Sequence, residues 1–492
     1  MADLCIVVGA QTLAELRDRR QRAESLADLV ELRLDTVSDP EVQGALAGRT
    51  GRVIVTCRAA REGGHFRGGE EERLRLLEQA WDAGADFVDV EWAARDAAPW
   101  IARTKGERLI FSAHDFSGVP GDLRALHQAM RQSPATVVKI AITARALGDT
   151  LQLRELARAS SGRRQVLLAM GPAGVVTRIL PDRFGSAWTY AGDDWAPGQL
   201  AVGRLRDDFQ LGRVSEAAAL YGVVARPSGH SVSPAMHNAA FRAAGVDAVY
   251  VPFEAASADD FLEFAAAMDV CGASITLPFK VDLLRRVAAD DLARRVGAVN
   301  TLVRDRSGAW RGTNTDVAGL LAPLDGRIGL EGARAAILGA GGAARSAAIA
   351  LSDAGARVVL HARRLDAARE VASDVGVGYA AMPPDPGSWD LLVNATPVGL
   401  APRIDETPWP EARFDGRLVY DLIYNPQETR LLREARAAGC ATLGGLDMLV
   451  AQASMQFELW TGSLPGAGIM RAAAESRLRS FAPQAAPSFS QS

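Results

Sequence analysis

Along the first two-fifths of the chain, apolar and polar positions alternate between two rhythms. Short, almost continuous apolar runs read as strands: LCIVVGA, LVELRLD, RVIVTCR, FVDVEW, RLIFSAHDF, TVVKIAIT, QVLLAM and GSAWTYA. Runs of that kind, Val/Ile/Leu-rich and bounded by turn residues, are what parallel strands covered on both faces look like. Between them lie amphipathic stretches such as EEERLRLLEQAWDAGA, in which Gly84 is placed to end a helix. Eight βα repeats without internal self-similarity predict an α/β fold that begins with a closed (β/α)8 TIM barrel. The beat changes after LGRVSEAAALYGVVARPSGHS, so the first domain is expected to span 1–216.

The second half carries a different pattern. Residues 335–364, AAILGAGGAARSAAIALSDAGARVVLHARR, run from an apolar strand into a glycine turn, an alanine-rich helix and a second strand. Gly339, Gly341 and Ala344 keep the spacing of a dinucleotide-binding turn, in which backbone without side chains lets a pyrophosphate approach a helix amino terminus. The second strand ends in His-Ala-Arg-Arg. Arg363 and Arg364 stand where an acid would favour NAD, so a 2′-phosphate, and hence NADP, is expected. The alternative is that the two arginines form a solvated helix start.

Candidate chemistry gathers at strand ends. In the barrel these positions hold Glu31, Arg33, Arg58, Glu91, His114, Lys139 and Arg178. Lys139 interrupts the apolar run TVVKIAIT. It is either an edge or snorkelling lysine, or an amine whose burial favours the neutral, nucleophilic form. An amine, an imidazole, a carboxylate and several guanidinium groups in one mouth suit a carbonyl compound that carries a carboxylate. In the second half, GHSVSPAMHN, GASITLPFK, GAVNTLV and GTNTDVAG place hydroxyls, amides, Lys280 and Asp316 at strand ends and turns, an inventory suited to a polyhydroxylated acid. Lys280 and Asp316 form either a proton-transfer pair or a structural ion pair.

Composition narrows the partners. With 48% hydrophobic and 23% charged residues and a net charge of -4, the chain has neither a basic field nor an arginine- or lysine-rich tract for nucleic acid. Cys5, Cys57, Cys271 and Cys440 lack CxxC spacing, so no disulfide framework and no metal site is expected, and a cytoplasmic location fits. No apolar run approaches the ~20 residues of a membrane span, and MADLCIVVGA lacks the basic start of an export signal. The segment 481–492, rich in Pro, Ala, Ser and Gln, is expected to be a disordered tail.

The motifs ELRLD, TCRAAREGG, SAHDF, VKIA, AMGPAGVVTR, FGSA and APGQ, in that order, resemble a type I 3-dehydroquinate dehydratase. HSVSPxxHN, SITLPFK, AVNTL, GTNTD, GAGGAAR, NATPVG, YDLIY and GLDMLVAQA resemble shikimate dehydrogenase, and together they cover nearly the whole chain. The fused order is similar to the bifunctional dehydratase/dehydrogenase of the shikimate pathway. That resemblance implies a substrate-binding domain at 217–323, a Rossmann NADP-binding domain at 324–440 and C-terminal helices at 441–480 returning to the substrate domain. It implies that Lys139 forms an imine with 3-dehydroquinate, that His114 moves the protons and that Glu31 orients His114. Arg178, Arg58 and Gln199 would grip the carboxylate and hydroxyls, supported by Arg33. At the second site, NADPH would reduce 3-dehydroshikimate to shikimate with Lys280 and Asp316 transferring the proton. Ser231 and Ser233 would hold the carboxylate, with Thr276, Asn300, Tyr424 and Gln452 on the ring. Gly339, Ala340, Gly341, Gly342, Ala343, Arg363, Arg364, Asn394, Thr396, Gly445 and Met448 would form the cofactor site. Three positions depart from the family pattern: Trp195 before APGQ, Ala225 where glycine is usual, and Ala362 where asparagine is common.

Overall fold

The computed structural model describes residues 1–94, 97–160, 164–192, 196–229 and 231–481. Trp195 and the expected tail beyond Phe481 lie outside the described residues. Phe481 itself donates its backbone N–H to Leu478 and lies under the Arg477 guanidinium at 4.6 Å.

By internal contacts the chain divides into two compact units, Met1–Ser231 with Asp247–Val270, and Val232–Val246 with the chain from Cys271 onward. The first holds eight strands: β1 (Asp3–Val8), β2 (Leu29–Arg33), β3 (Arg52–Thr56), β4 (Phe87–Glu91), β5 (Leu109–His114), β6 (Val137–Thr143), β7 (Arg164–Met170) and β8 (Trp188–Ala191). Their order, β7-β6-β5-β4-β3-β2-β1-β8, with every neighbouring pair parallel, is that of a barrel. Ala187 N–H donates to Gln165 O at 2.8 Å and so ties the approach to β8 onto β7. The expected eight strands and TIM-barrel class are therefore present. The helix predicted from EEERLRLLEQAWDAGA spans Glu70–Asp82, and Gly84 follows it at φ +83°, a left-handed conformation that glycine adopts without steric cost. The interior is closed at one end by Cys5, Leu29, Ile54, Phe87, Ile110, Val137, Val166 and Trp188. The same unit ends in two parallel strands, β9 (Ala219–Val224) and β10 (Ala248–Phe253), and the helix Ala258–Ala267.

In the second unit, β11 (Val270–Ile275), β12 (Ala288–Ala289), β13 (Thr301–Arg304) and β14 (Trp310–Thr313) pair in the order β11-β13-β14-β12. A separate, wholly parallel sheet follows, from β15 (Arg334–Leu338), β16 (Arg357–Ala362), β17 (Gly378–Ala381), β18 (Leu391–Asn394), β19 (Leu418–Asp421) and β20 (Ala441–Leu443). Its order, β17-β16-β15-β18-β19-β20, reverses direction beside β15, which is the doubly wound dinucleotide-binding arrangement with a ligand crevice at the switch point. The helix Gly342–Asp353 packs on it through fully buried Ala344, Ala347, Ala348 and Ala350, whose small side chains let helix and sheet come close.

Candidate active sites

Period-two geometry decides which barrel side chains face inward. On β2 the inward series is Leu29, Glu31, Arg33. On β4 it is Phe87, Asp89, Glu91; on β5 Ile110, Ser112, His114; on β6 Val137, Lys139, Ala141. Each series starts apolar at the amino end of its strand and carries its polar side chains beyond that first layer, toward the carboxyl face where barrel chemistry sits. Lys139 is thus neither an edge nor a snorkelling residue: it is 5% exposed and projects into the polar layer. The cleft above it is lined by Glu31, Arg33, Arg58, His114, Arg178 and Gln199, all expected from the sequence, and by Glu62, Phe116 and Tyr190, which were not. Its empty space, about 630 Å³, includes the open mouth, so the cleft is continuous with solvent.

The charges inside alternate. Arg73 Nη1 donates to Glu91 Oε2 at 2.6 Å, and Arg58 lies 3.4 Å from Glu91 and 3.0 Å from Asp89. Lys139 Nζ follows, 3.1 Å from Asp89 Oδ2, 3.4 Å from Glu31 Oε2 and 4.4 Å from the centre of the Tyr190 ring. The amine is therefore not stranded in an apolar run, as the strand alone suggests. Two carboxylates reach it from β2 and β4. Burial opposes the charge on Asp89, but Arg58 and Lys139 outweigh it and hold that carboxyl well below its ordinary range.

His114 has a different partner from the one the sequence suggested. Its Nδ1 meets Glu62 Oε2 at 2.9 Å, whereas Glu31 is turned to Lys139. Burial, reinforced by the positive charges of Arg58 and Lys139, pushes His114 well below its usual pKa, so the ring is neutral. Burial also raises Glu62 to about 7, with Arg58 opposing and Glu91 and Asp89 assisting. The tautomer of His114 thus depends on Glu62: an ionised carboxylate holds the proton on Nδ1 and leaves the Nε2 lone pair free. Gly63, at φ +76°, lets the turn pass Phe116, whose ring would stand 2.7 Å from any added Cβ and which stacks on His114.

The arginines divide. Arg33 forms a two-pronged pair with Asp35, both bonds 2.8 Å, and Arg58 is committed to Asp89, Glu91 and Ser112. Arg178 is 2% exposed, its Nε has no bond partner among the described residues, and burial pushes its pKa down to about 10 with no carboxylate to offset it. A desolvated guanidinium at the wall of a cleft is a seat for an anion. Gln199, close by in the lining, is half-buried and accepts from Ala196 N–H.

In the second unit, Lys280 Nζ donates to Asp316 Oδ2 at 2.6 Å, and Asn300 Nδ2 donates to Asp316 Oδ1 at 2.7 Å. The pair meets because Lys280 begins a helix after β11, Asp316 begins one after β14, and β13 delivers Asn300 between them. Gln452 stands on the helix Gly445–Thr461, which crosses the helix Asp316–Leu321 so closely that a Cβ on Gly319 would lie 2.7 Å from Gln452 Cβ, and its amide donates to Leu449 O of its own helix. Thr276 and Tyr424 are half-buried past the ends of β11 and β19. Ser233 is the buried first residue of the helix Ser233–Ala243, and Ser231 is half-buried two residues before it.

The dinucleotide crevice opens where β15 meets its glycine turn. Gly339 (φ +116°), Ala340 and Gly341 line it together with Arg363, Arg364 and Thr396. Added Cβ atoms at Gly341 and Gly342 would meet nothing within 4 Å, and the helix that starts at Gly342 has no side-chain cap. Gly342 and Ala343 are exposed, so its first N–H groups face open space of the kind that receives phosphate. Arg363 and Arg364 are exposed and, among the described residues, make no ion pair. These features fit a phosphorylated dinucleotide. Asn394 is fully buried and acts from behind, accepting from Thr396 N–H and Oγ1 and donating to Asp421. Gly445 packs on backbone, where a Cβ would come 2.2 Å from Leu422 O, and half-buried Met448 packs against the nucleotide-binding core. Among the described residues, no group of three or more His, Cys, Asp or Glu could hold a metal, and no helix is long and apolar enough to cross a membrane.

Comparison with known proteins matches the same division. Residues 4–214 match the family model of type I 3-dehydroquinase, 223–302 that of the shikimate dehydrogenase substrate binding domain, and 445–475 that of the shikimate 5'-dehydrogenase C-terminal domain. A chloroplastic bifunctional 3-dehydroquinate dehydratase/shikimate dehydrogenase of Arabidopsis thaliana is 32% identical over 500 residues, covering 93% of this chain and 82% of that protein. An NADP(+) shikimate dehydrogenase of Halobacterium salinarum is 45% identical over 266 residues, 53% of this chain and 99% of its own length. The crystal structure of a shikimate dehydrogenase with NADP+ superposes with a TM-score of 0.51 at 32% identity, covering 54% of this chain and 97% of that one. The fold defines a two-part α/β enzyme: a barrel whose cleft holds Lys139 and His114, and a second unit that holds the Lys280–Asp316 pair and a doubly wound sheet with a dinucleotide crevice. The chain belongs to the family of bifunctional 3-dehydroquinate dehydratase/shikimate dehydrogenases.

Proposed function

We propose that the barrel dehydrates 3-dehydroquinate to 3-dehydroshikimate through an imine on Lys139, and that the second unit reduces 3-dehydroshikimate to shikimate with NADPH. The observation that carries this is the meeting, in one cleft, of a buried amine, a neutral imidazole and a guanidinium without a carboxylate.

Lys139 reacts as the free amine, with Glu31 at 3.4 Å the carboxylate in reach to take its proton and Asp89, at 3.1 Å, staying ionised beside it. The amine adds to the ketone carbon of the substrate and, on loss of water, leaves an iminium that draws electrons from the neighbouring C–H bond. His114 Nε2, free while Glu62 holds Nδ1–H, takes that proton. The enamine then expels the hydroxyl, to which the same imidazole returns the proton, and water hydrolyses the imine. Arg178 seats the carboxylate throughout. At the second site, Lys280, held by Asp316, passes a proton to the ketone oxygen, and Asn300 keeps Asp316 aimed at the lysine. When bound, NADPH supplies the two electrons of that reduction. Arg363 and Arg364 favour its 2′-phosphate, and the open glycine turn takes its pyrophosphate.

The chain is read as a dehydratase barrel to about residue 216, a substrate-binding domain to 323, a cofactor domain to 440 and returning helices to 480. The scattered spacing of the four cysteines, without CxxC pairs, supports a reducing cytoplasm. The test is chemical trapping. Borohydride added with 3-dehydroquinate should fix a covalent adduct on Lys139, and Lys139→Ala should abolish dehydration while reduction of 3-dehydroshikimate continues. Loss of both activities in a folded Lys139→Ala variant would refute two independent sites.

A further inference from the structure

The dinucleotide crevice has a second basic wall. Arg363 and Arg364 come from one side, at the end of β16 and the start of the helix Leu365–Val375. Arg403 lines the same crevice from the segment that follows β18, and the sequence pattern had not singled it out. This segment is built rather than loose. Val398 N–H bonds to Thr396 Oγ1, Ala401 N–H to Asn425 O at 3.0 Å, and successive turns close from Arg403 N–H to Leu400 O and from Glu406 N–H to Arg403 O.

The Arg403 guanidinium is mostly exposed and lies 3.4 Å from Glu406 Oε2, a solvent-screened pair that holds the side chain weakly. A phosphate monoester offers a dianion and three acceptor oxygens, more than a single carboxylate can present. Arg363 and Arg364 are consecutive at the end of β16, whereas Arg403 comes from the segment after β18, on the other side of β15 in the sheet order, and all three line the one crevice. We propose that Arg403 is a specificity-determining residue for the cofactor: it leaves Glu406 and closes on the 2′-phosphate from the wall opposite Arg363 and Arg364. The inference rests on the reading of this crevice as an NADP site. It assigns to the β18 side part of the discrimination that the β16 strand end alone was expected to provide, at a place where Ala362 contributes no polar side chain.

The experiment is calorimetric titration of the full chain with NADP+ and with NAD+, using wild type, Arg403→Met, Arg403→Lys and Arg363→Met. Ratios of kcat/KM for NADPH and NADH with 3-dehydroshikimate provide a parallel readout. Arg403→Met should weaken NADP+ binding roughly ten-fold, the scale of a lost hydrogen bond between charged groups, and leave NAD+ binding within about two-fold. Arg403→Lys should fall between the two. Equal weakening of both nucleotides, or none, overturns the proposal. If wild type itself binds NAD+ as well as NADP+, the NADP reading of the crevice fails and this inference with it. If wild type prefers NADP+, Arg363→Met loses the preference and Arg403→Met keeps it, the crevice is an NADP site and only the role of Arg403 falls.

Discussion

Glu62→Gln should make the barrel more stable in mildly alkaline solution while disabling it as a dehydratase. The carboxyl sits against His114 at 2.9 Å, largely out of water, and burial raises its pKa from 4.5 to about 7. For an acid whose folded pKa is raised, the protonated form is the one the fold favours. Stability is fully present below the unfolded value near 4.5 and is lost as the pH rises through about 7. The loss is about 3 kcal/mol, from a difference of roughly two and a half pH units at 1.36 kcal/mol each. Glutamine keeps the shape and carries no charge at any pH, so it escapes this loss. Calorimetric unfolding of the full chain should therefore show a barrel transition little changed at about pH 4.5 and raised at about pH 8.5, by the equivalent of roughly 3 kcal/mol. The same substitution removes the group that fixes the His114 tautomer. In wild type the dehydration rate should climb as Glu62 ionises around pH 7. In the variant that limb should vanish and the rate fall by about 10²–10⁴, the scale of general acid–base catalysis. An equal stability difference at both pH values would show that Glu62 is not ionising in a desolvated site, and the account of His114 would fall with it.

Two further outcomes test the rest of the machinery. Arg178→Met keeps most of the side-chain volume and removes a buried charge that has no carboxylate partner. The barrel should unfold at a higher temperature while KM for 3-dehydroquinate rises at least roughly ten-fold; a lower unfolding temperature with unchanged KM would mean that the guanidinium is structural. Asp316→Asn leaves Lys280 without its carboxylate at 2.6 Å. The kcat for reducing 3-dehydroshikimate should drop by about 10²–10⁴ while dehydration proceeds normally, and an unchanged kcat would remove Asp316 from proton transfer.

How much of this the sequence discloses depends on whether a residue's role follows from its own strand or from another. Strand parity is local. Val137, Lys139 and Ala141 must share a face, and so must Leu29, Glu31 and Arg33, so the inward polar layer is legible in one dimension. Asp89 was within reach by the same rule, since it lies two residues before Glu91 in a strand that is otherwise apolar. Partner choice is not local. Glu31 and Asp89 reach Lys139 from β2 and β4, neither of them a neighbour of β6 in the sheet, and that contact depends on closure of the barrel. Glu62 lies in the turn after β3, outside any periodic pattern, and nothing in the spacing of TCRAAREGG shows that it rather than Glu31 meets His114. Arg403 is the same case, a basic residue in a long connection that only the fold brings to the crevice lined by Arg363 and Arg364. The apolar run around Lys139 thus predicts its burial and says nothing of the carboxylates that meet it. A strand pattern reports what flanks a side chain along the chain, whereas the partners of this barrel lysine stand across the lumen.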